Sequence, residues 1–258
     1  DTLTKTIRDY GTKTIIHFAA KAYVDESMTV PLSYYQNNVV GTISLLEAAK
    51  QTHVRNLIFS SSCAVYGQPE SVPVTEDTPV CPISPYGRTK AISEQIIQDV
   101  CETHKIKYAL LRYFNAAGAE PQSGIGECHD PETHLIPNAI SSALTGYPFR
   151  IYGTQHATKD GTCIRDYVHV TDLANAHLKS CEHLNRGATQ IVANLGNGTG
   201  HSILEILKTI EKFTGSLITK REVTHRNGDP GTIYADGTKA GEEIGWVPEK
   251  TDIGDIIK

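Results

Sequence analysis

The chain has no uninterrupted apolar run long enough to cross a bilayer, no Cys-x-x-Cys pair and no excess of positive charge, and each absence removes a class of function. A spanning helix needs about 20 predominantly apolar residues, so no membrane segment and no membrane partner are expected. The formal net charge of −5 gives no basic footprint for a nucleic-acid backbone, which leaves small anionic ligands as the anions of interest. The six cysteines, at 63, 81, 101, 128, 163 and 181, stand apart from one another and from any His at zinc-finger spacing. They read as reduced thiols of a cytoplasmic protein, and no bound metal is expected. The first residues, DTLTKTIRDYGTKTIIHF, contain neither a charged leader with a long apolar core nor an initiating Met. No secretory signal is expected, and the chain reads as a piece whose natural beginning lies upstream.

What is present is an ordinary globular composition: 258 residues, 39% apolar and 21% charged, with a mean hydropathy of −0.27. That length accommodates one large domain or two unequal lobes. Short β-branched and apolar runs alternate with longer helix-period segments, the pattern of βα units stacked into a parallel sheet, so the fold class is α/β. Three runs, 14–18, 56–60 and 108–114, are nearly continuously apolar, as strands covered on both faces are. Pro31 to Lys50 and Pro85 to Thr103 read as helices, the second with Ile92, Ile96 and Val100 on one face. From Gly118 to Pro137 the chain turns rich in Gly, Pro, Asn and His, and a boundary near residue 115 is expected there, with 116–258 mainly a second lobe. Further on, 165–170 reads as a strand and Leu173 to Leu184 as a helix capped by Thr171 or Asp172. The segment of about 163–184 is expected to rejoin the first sheet. Ile191 to Leu195 is another strand. Ser202 with Glu205 forms a capping box opening a helix with Ile203, Ile206, Leu207, Ile210 and Phe213 along one stripe. The glycine-rich stretch 196–200 reads as a turn into that helix rather than a phosphate cradle.

The chemistry-bearing residues are Ser60, Ser61 and Ser62 at a strand end, followed 24 residues beyond Ser62 by Tyr86 and then Lys90 at a helix start. Four residues along a helix puts Lys90 on the face of Tyr86, where an ammonium favours the phenolate and lowers a pKa otherwise near about 10. A Ser hydroxyl beside that phenol can hold one substrate oxygen for proton transfer while a hydride leaves the carbon. A Tyr and a Lys four apart also occur by chance, so the wording around them decides.

Phe59-Ser-Ser-Ser-Cys-Ala-Val-Tyr-Gly67 and Ser84-Pro-Tyr-Gly-Arg-Thr-Lys90 resemble the active-site segments of the extended short-chain dehydrogenase/reductase family, in its UDP-galactose 4-epimerase branch. The resemblance continues through 17–20, 34–42, 110–118, 132–137, 160–170 and 226–229. It implies a Rossmann-type doubly wound parallel sheet with a smaller α/β substrate-binding lobe, bound NAD, and reversible C4 epimerisation of UDP-glucose and UDP-galactose through a 4-keto sugar. In that family the positions matching Ser62, Tyr86 and Lys90 are catalytic. Phe18, Ala19, Ala20, Asn38, Ser60, Ser61 and Tyr113, with Tyr86 and Lys90, match cofactor positions. Ser62, Phe114, Asn115, His134, Leu135, Arg165, Arg226, Asp229 and Ile233 match the sugar-nucleotide side. Guanidinium forks suit a diphosphate and a carboxylate suits a ribose hydroxyl, which agrees with Arg165, Arg226 and Asp229. Read from the residues alone, without the resemblance, Arg165 and Arg226 would sooner be solvated surface charges. The resemblance also implies a homodimer paired through the two long helices.

The sequence departs from the family pattern in places. The G-x-x-G-x-x-G fingerprint for a pyrophosphate is not found in it, so about sixty residues are expected upstream, a short piece beyond Lys258, and weak NAD binding by the chain alone. Lys21 is not assigned a cofactor contact. Ile233, of intermediate bulk, leaves open whether an N-acetylated sugar fits. A 4,6-dehydratase would carry Thr-Asp-Glu where Ser62-Cys63-Ala64 stands. A UDP-glucuronate epimerase or decarboxylase and a non-catalytic nucleotide-binding regulator remain alternatives. His17 and His134 are read as loop or strand-end residues, because neither has a partner at ligand spacing.

Overall fold

The computed structural model describes residues 2–224 and 230–258. Arg226 and Asp229, assigned above to the sugar nucleotide, lie outside the described residues. In the first half the elements are α1 (Thr2–Asp9), β1 (Thr14–His17), α2 (Val24–Thr29), α3 (Pro31–Tyr34), α4 (Gly41–Lys50), β2 (Asn56–Ser62), α5 (Pro85–His104), β3 (Lys107–Tyr113) and β4 (Asn115–Ala117). The second half holds α6 (Leu135–Thr145), β5 (Phe149–Tyr152), β6 (Ile164–His169), α7 (Val170–Asn185), β7 (Gln190–Leu195), β8 (Gly200–Ser202), α8 (Ile203–Thr214), β9 (Lys220–Val223), β10 (Thr232–Ile233), α9 (Thr238–Ile244) and α10 (Ile253–Ile257). Among the described residues no helix is long and apolar enough to cross a membrane.

The first sheet is parallel throughout, in the order β1-β2-β3-β7. Its strands are apolar at successive positions because both faces are covered. Successive side chains point to opposite faces. Leu57, Phe59, Tyr108 and Leu110 therefore pack with Ile7 of α1, Leu45 and Leu46 of α4 and Ile97 of α5. Ile58, Ala109, Leu111 and Ala193 pack on the other side with Leu173 and Ala176 of α7 and Trp246 beyond α9. Each fully buried Leu or Ile of this kind contributes about 1.5–3 kcal/mol. Helices on both faces of a parallel sheet make the doubly wound α/β arrangement expected from the sequence, and parallel strands bring their C-terminal ends to one edge.

The second lobe has its own core, formed by Ile136 and Ala139 of α6, Ile206, Leu207 and Ile210 of α8, Ile151 of β5 and Ile256 of α10. Its sheets are β10-β6-β4, with β8 antiparallel to β6, and the pair β5-β9. Of the segment expected to rejoin the first sheet, β6 pairs in the second sheet instead. The return is made by α7, which packs on β2 and β3, and by β7 beside β3.

Local readings differ from the structure in instructive ways. The long first helix is interrupted by a π-helical stretch, Tyr35–Val40, between α3 and α4. Such wide turns let a side chain leave the regular helical register, and Asn38 within it is buried. The cap of α7 is neither Thr171 nor Asp172 but His169, whose Nδ1 accepts from Thr171 N at 3.2 Å. Asp172 instead accepts from the backbone of Glu249 and Lys250. The capping box of α8 forms as expected, although Phe213 at the end of its stripe is 45% exposed. On α5 the apolar stripe flanks the buried face: Ile92 is 39% exposed and Ile96 and Val100 are partly buried against the core, while Thr89, Lys90, Ser93 and Ile97 are buried. The loop-rich passage ends two residues before Pro137, because α6 begins at Leu135.

Candidate active site

The C-terminal ends of β2 and β3 open into a cavity of about 1160 Å³ between the two lobes. One wall is made by Phe18, Ala20, Ser60, Ser62, Tyr86 and Tyr113, with Ser61 and Lys90 beneath them. Phe114, Asn115, His134, Leu135, Arg165 and Ile233 line it from the second lobe. Of the expected site residues that the structure describes, Ala19 and Asn38 do not line this cavity. Asn38 is spent on the protein: its amide bonds Lys21 O at 3.0 Å and Thr89 Oγ1 at 3.0 Å, and its carbonyl accepts from Lys21 N at 2.8 Å.

Helix α5 begins beside Ser62 for a local reason. Ser84 caps it by accepting from Gly87 N at 3.1 Å, and Pro85 occupies the first turn, where a missing N–H costs nothing. A Cβ on Gly87 would lie 2.4 Å from Ala64 O, so only glycine allows the helix this close to the chain after β2. Ser62 Oγ accepts from Ala64 N at 3.1 Å, which leaves its proton to donate. It lines the cavity beside Tyr86, and its hydroxyl opposes the effect of burial on the phenol.

The expected lowering of the Tyr86 pKa by Lys90 is not what the structure gives. Burial dominates and pushes the phenol up to about 12, with the Ser62 hydroxyl acting against it. Lys90 Nζ lies 5.9 Å from the Tyr86 ring centroid and 4.9 Å from that of Phe59, and it donates to Ser60 O at 2.6 Å. Burial lowers its own pKa to about 8, partly offset by the charge of Glu94.

Glu94, one turn beyond Lys90, organises the wall. Arg112 grips it with two bonds, Nε to Oε1 at 3.0 Å and Nη2 to Oε2 at 2.7 Å, and Ser61 Oγ donates to the same carboxylate. The other guanidinium arm donates to Tyr66 Oη at 2.9 Å, and that hydroxyl donates to Asn194 Oδ1 at 2.6 Å. Helix α5 and strands β2, β3 and β7 are thus tied through one buried network. Tyr113 Oη bonds the His177 ring, itself 4.7 Å from the Phe18 ring, and burial raises the Tyr113 pKa.

On the second-lobe side, Asn115 donates to Asp166 O at 3.0 Å, and Arg165 Nη1 donates to Ile164 O at 2.8 Å. Asp166 receives the backbone N–H groups of Asn197, Gly198 and Ala235, and burial pushes its pKa up to about 6. The glycine-rich stretch is therefore a turn held by a carboxylate. His17 bonds Thr42 Oγ1 at 3.1 Å, and burial with the charge of Lys90 lowers its pKa to about 4.

His134 is not without ligand-spaced neighbours. Its Nδ1 lies 2.6 Å from Glu127 Oε1 and 3.2 Å from Glu132 Oε1, and His129 joins them. The bond to Glu127 raises the His134 pKa. Sequence reasoning missed this cluster and the Glu94–Arg112 pair. A charged residue inside the apolar run 110–114 was the available signal for the pair, and two successive Glu-x-His pairs for the cluster.

Residues 1–196 match the NAD dependent epimerase/dehydratase family. Over 256 residues the chain is 47% identical to the UDP-glucose 4-epimerase of Lactobacillus helveticus, covering 99% of this chain and 78% of that protein. Among solved structures it is similar to the UDP-glucose 4-epimerase of Brucella ovis in complex with NAD, with a TM-score of 0.95 and 46% identity over 99% of this chain and 79% of that one. The UDP-glucose 4-epimerase of Bifidobacterium longum in complex with NAD+ and UDP gives a TM-score of 0.93 at 37% identity, covering 99% and 77% of the two chains.

Proposed function

Because this chain belongs to the NAD dependent epimerase/dehydratase family, we propose that it inverts C4 of UDP-glucose and UDP-galactose reversibly, through a 4-keto sugar, with Tyr86, Ser62 and Lys90 handling the proton. The observation that carries this reading is the placement of Ser62, the buried Tyr86 phenol and Lys90 together on one wall of the cavity, at the sheet edge where it opens.

The residues present fit NAD. Lys90 is a buried ammonium whose one hydrogen bond among the described residues is to Ser60 O, so it has donors to spare for ligand hydroxyls at that wall. Tyr113, Phe18 and Ala20 add apolar surface on which a flat ring can lie. Bound NAD supplies the acceptor and donor of hydride. The chain does the rest. Tyr86 takes the proton of the 4-hydroxyl, Ser62 holds the same oxygen, and Lys90 stabilises the phenolate once ligands exclude water and strengthen the attraction. The 4-keto sugar turns within the cavity and Tyr86 returns the proton, so no net oxidation accumulates.

Phe114, Asn115, Leu135, His134, Arg165 and Ile233 face the sugar nucleotide in this reading, with Arg165 directed at the diphosphate. Exposed apolar side chains on the outer faces of the two long helices, Leu32, Val40, Ile43 and Ile92, support pairing of two copies through them. The free cysteines, Cys63, Cys81, Cys101, Cys128, Cys163 and Cys181, support a reducing cytoplasmic setting.

Incubating the full chain with NAD and either UDP-hexose tests the proposal. The same equilibrium mixture should be reached from both sides, and Tyr86→Phe should slow it about 10²–10⁴-fold, the range general acid–base catalysis contributes. Turnover of UDP-glucuronate alone, or an unimpaired Tyr86→Phe, contradicts it.

A further inference from the structure

Across the cavity from Tyr86, the loop before α6 gathers side chains that proton transfer does not use. Residues 127–134 contain two Glu-x-His pairs, Glu127 with His129 and Glu132 with His134, and both fold back so that all four polar tips converge. One ligand atom from each residue lies within 4.8 Å of every other. His134 Nδ1 is 2.6 Å from Glu127 Oε1 and 3.2 Å from Glu132 Oε1, while His129 Nδ1 is 3.1 Å from Glu127 Oε1 and 3.8 Å from Glu132 Oε2. Donors bound at about 2.0–2.2 Å around a tetrahedral ion stand about 3.4 Å apart, and these separations bracket that value.

Three further features suit a cation. Two imidazole nitrogens with two carboxylate oxygens are a borderline donor set, fitted to zinc-class ions rather than to magnesium or calcium, which take oxygen donors. The Glu132 carboxylate is already oriented, since its Oε1 accepts the backbone N–H groups of Thr133 and His134, each at 2.7 Å. Such outer bonds hold first ligands in place at metal sites. Tyr23, from the first lobe, sets its ring 5.7 Å from His129 and 6.0 Å from His134, confining both imidazoles from the opposite side of the cavity mouth. Exposed ion pairs without a metal contribute only about 0–1 kcal/mol each, a weak reason for four side chains to share one point.

We propose that Glu127, His129, Glu132 and His134 bind one divalent transition-metal ion of the zinc class, which staples the rim loop at the mouth of the cavity. All four residues line that mouth, and α6, which follows, sends Leu135 and Asn138 to the same wall. The ion secures the side of the cavity assigned to the sugar nucleotide and leaves Tyr86, Ser62 and Lys90 untouched. Its loss therefore raises KM more than it lowers kcat.

Calorimetric titration of the chelator-stripped full chain with Zn²⁺ tests the site, and Co²⁺ adds a spectroscopic readout of coordination. One equivalent of Zn²⁺ should bind, and bound Co²⁺ should show the intense visible absorption of a tetrahedral site. His129→Ala and Glu132→Gln should each weaken binding at least about 100-fold, since even outer-shell partners are worth about 10–100-fold. Both lie on an exposed loop, and unchanged circular dichroism confirms that the variants fold. Cys128→Ser separates the neighbouring thiol and should leave affinity unchanged. Absence of saturable one-equivalent binding, or binding that survives His129→Ala and Glu132→Gln together, overturns the proposal.

Discussion

The wall formed by β2, β3 and α5 buries its charges and ties its Glu94–Arg112 pair in several directions, whereas the rim before α6 exposes its charges and ties them chiefly to one another. Glu94 is 4% exposed and Arg112 6%, and between them they engage Ser61 and Tyr66. On the rim, the side chains of His129 and His134 are 43% and 44% exposed, and their partners lie within the same eight residues, 127–134. The first wall is over-determined, as a site needs to be when it places a phenol, a hydroxyl and an ammonium around one oxygen. The second is adjustable. In the proposed function, chemistry is held by the sheet and its buried network, while the ligand is met by a loop that can change without disturbing it.

The contrast can be broken most forcefully at Arg112. Arg112→Met removes the ion-pair partner of the buried Glu94, and loss of one partner from such a pair costs about 3–5 kcal/mol. Denaturant unfolding should show this loss, together with a fall in kcat as Ser61 and α5 lose their anchor. A change below about 1 kcal/mol would mean that the wall is not organised by the pair.

Lys90 sharpens the comparison in the opposite sense, because its burial comes at the expense of stability. Its pKa is lowered from 10.5 to about 8. The folded state therefore gives up this proton earlier than the unfolded chain as pH rises, and stability from this group increases between about pH 8 and 10.5. Lys90→Met should gain about 1–3 kcal/mol at neutral pH, the usual cost of a poorly satisfied buried polar group, while losing activity. That gain should shrink as pH approaches 10.5, the ordinary value for the residue. Equal stability of the two proteins at pH 7 would contradict the reading.

Much of this was legible before the structure. The apolar runs at 56–60 and 108–114 became β2 and β3 because parallel strands buried on both faces carry no alternation to hide them. Ser202 and Glu205 announced a helix start because a capping box is purely local chemistry. Tertiary effects were not legible. The buried face of α5 begins polar, with Thr89, Lys90, Ser93 and Glu94 at its ion pair, and turns apolar only at Ile97 and Cys101, so Ile92 is exposed while Ile96 and Val100 lie at the margin of the core. The Tyr86 pKa followed burial rather than the neighbouring Lys90, which helix spacing cannot reveal. The convergence of Glu127, His129, Glu132 and His134 depends on how one loop folds back, and no helical or strand period encodes that.

The smallest expected effect is at the second lobe. Ser202→Ala removes the cap of α8, worth about 0.5–2 kcal/mol, and α8 packs on α6 behind the rim. A calorimetric scan should show the lost stability, with KM moving and kcat holding. A drop in kcat instead would mean that the two walls are coupled.

The most direct measurement follows the hydrogen at C4. UDP-glucose deuterated at C4 and turned over in ordinary water by the full chain with NAD should yield UDP-galactose that keeps its deuterium, because one enclosed site removes a hydride and returns it to the same carbon. Loss of the label to solvent during interconversion would contradict the account, since it would require exchange of a carbon-bound proton that Tyr86, Ser62 and Lys90 are not placed to perform.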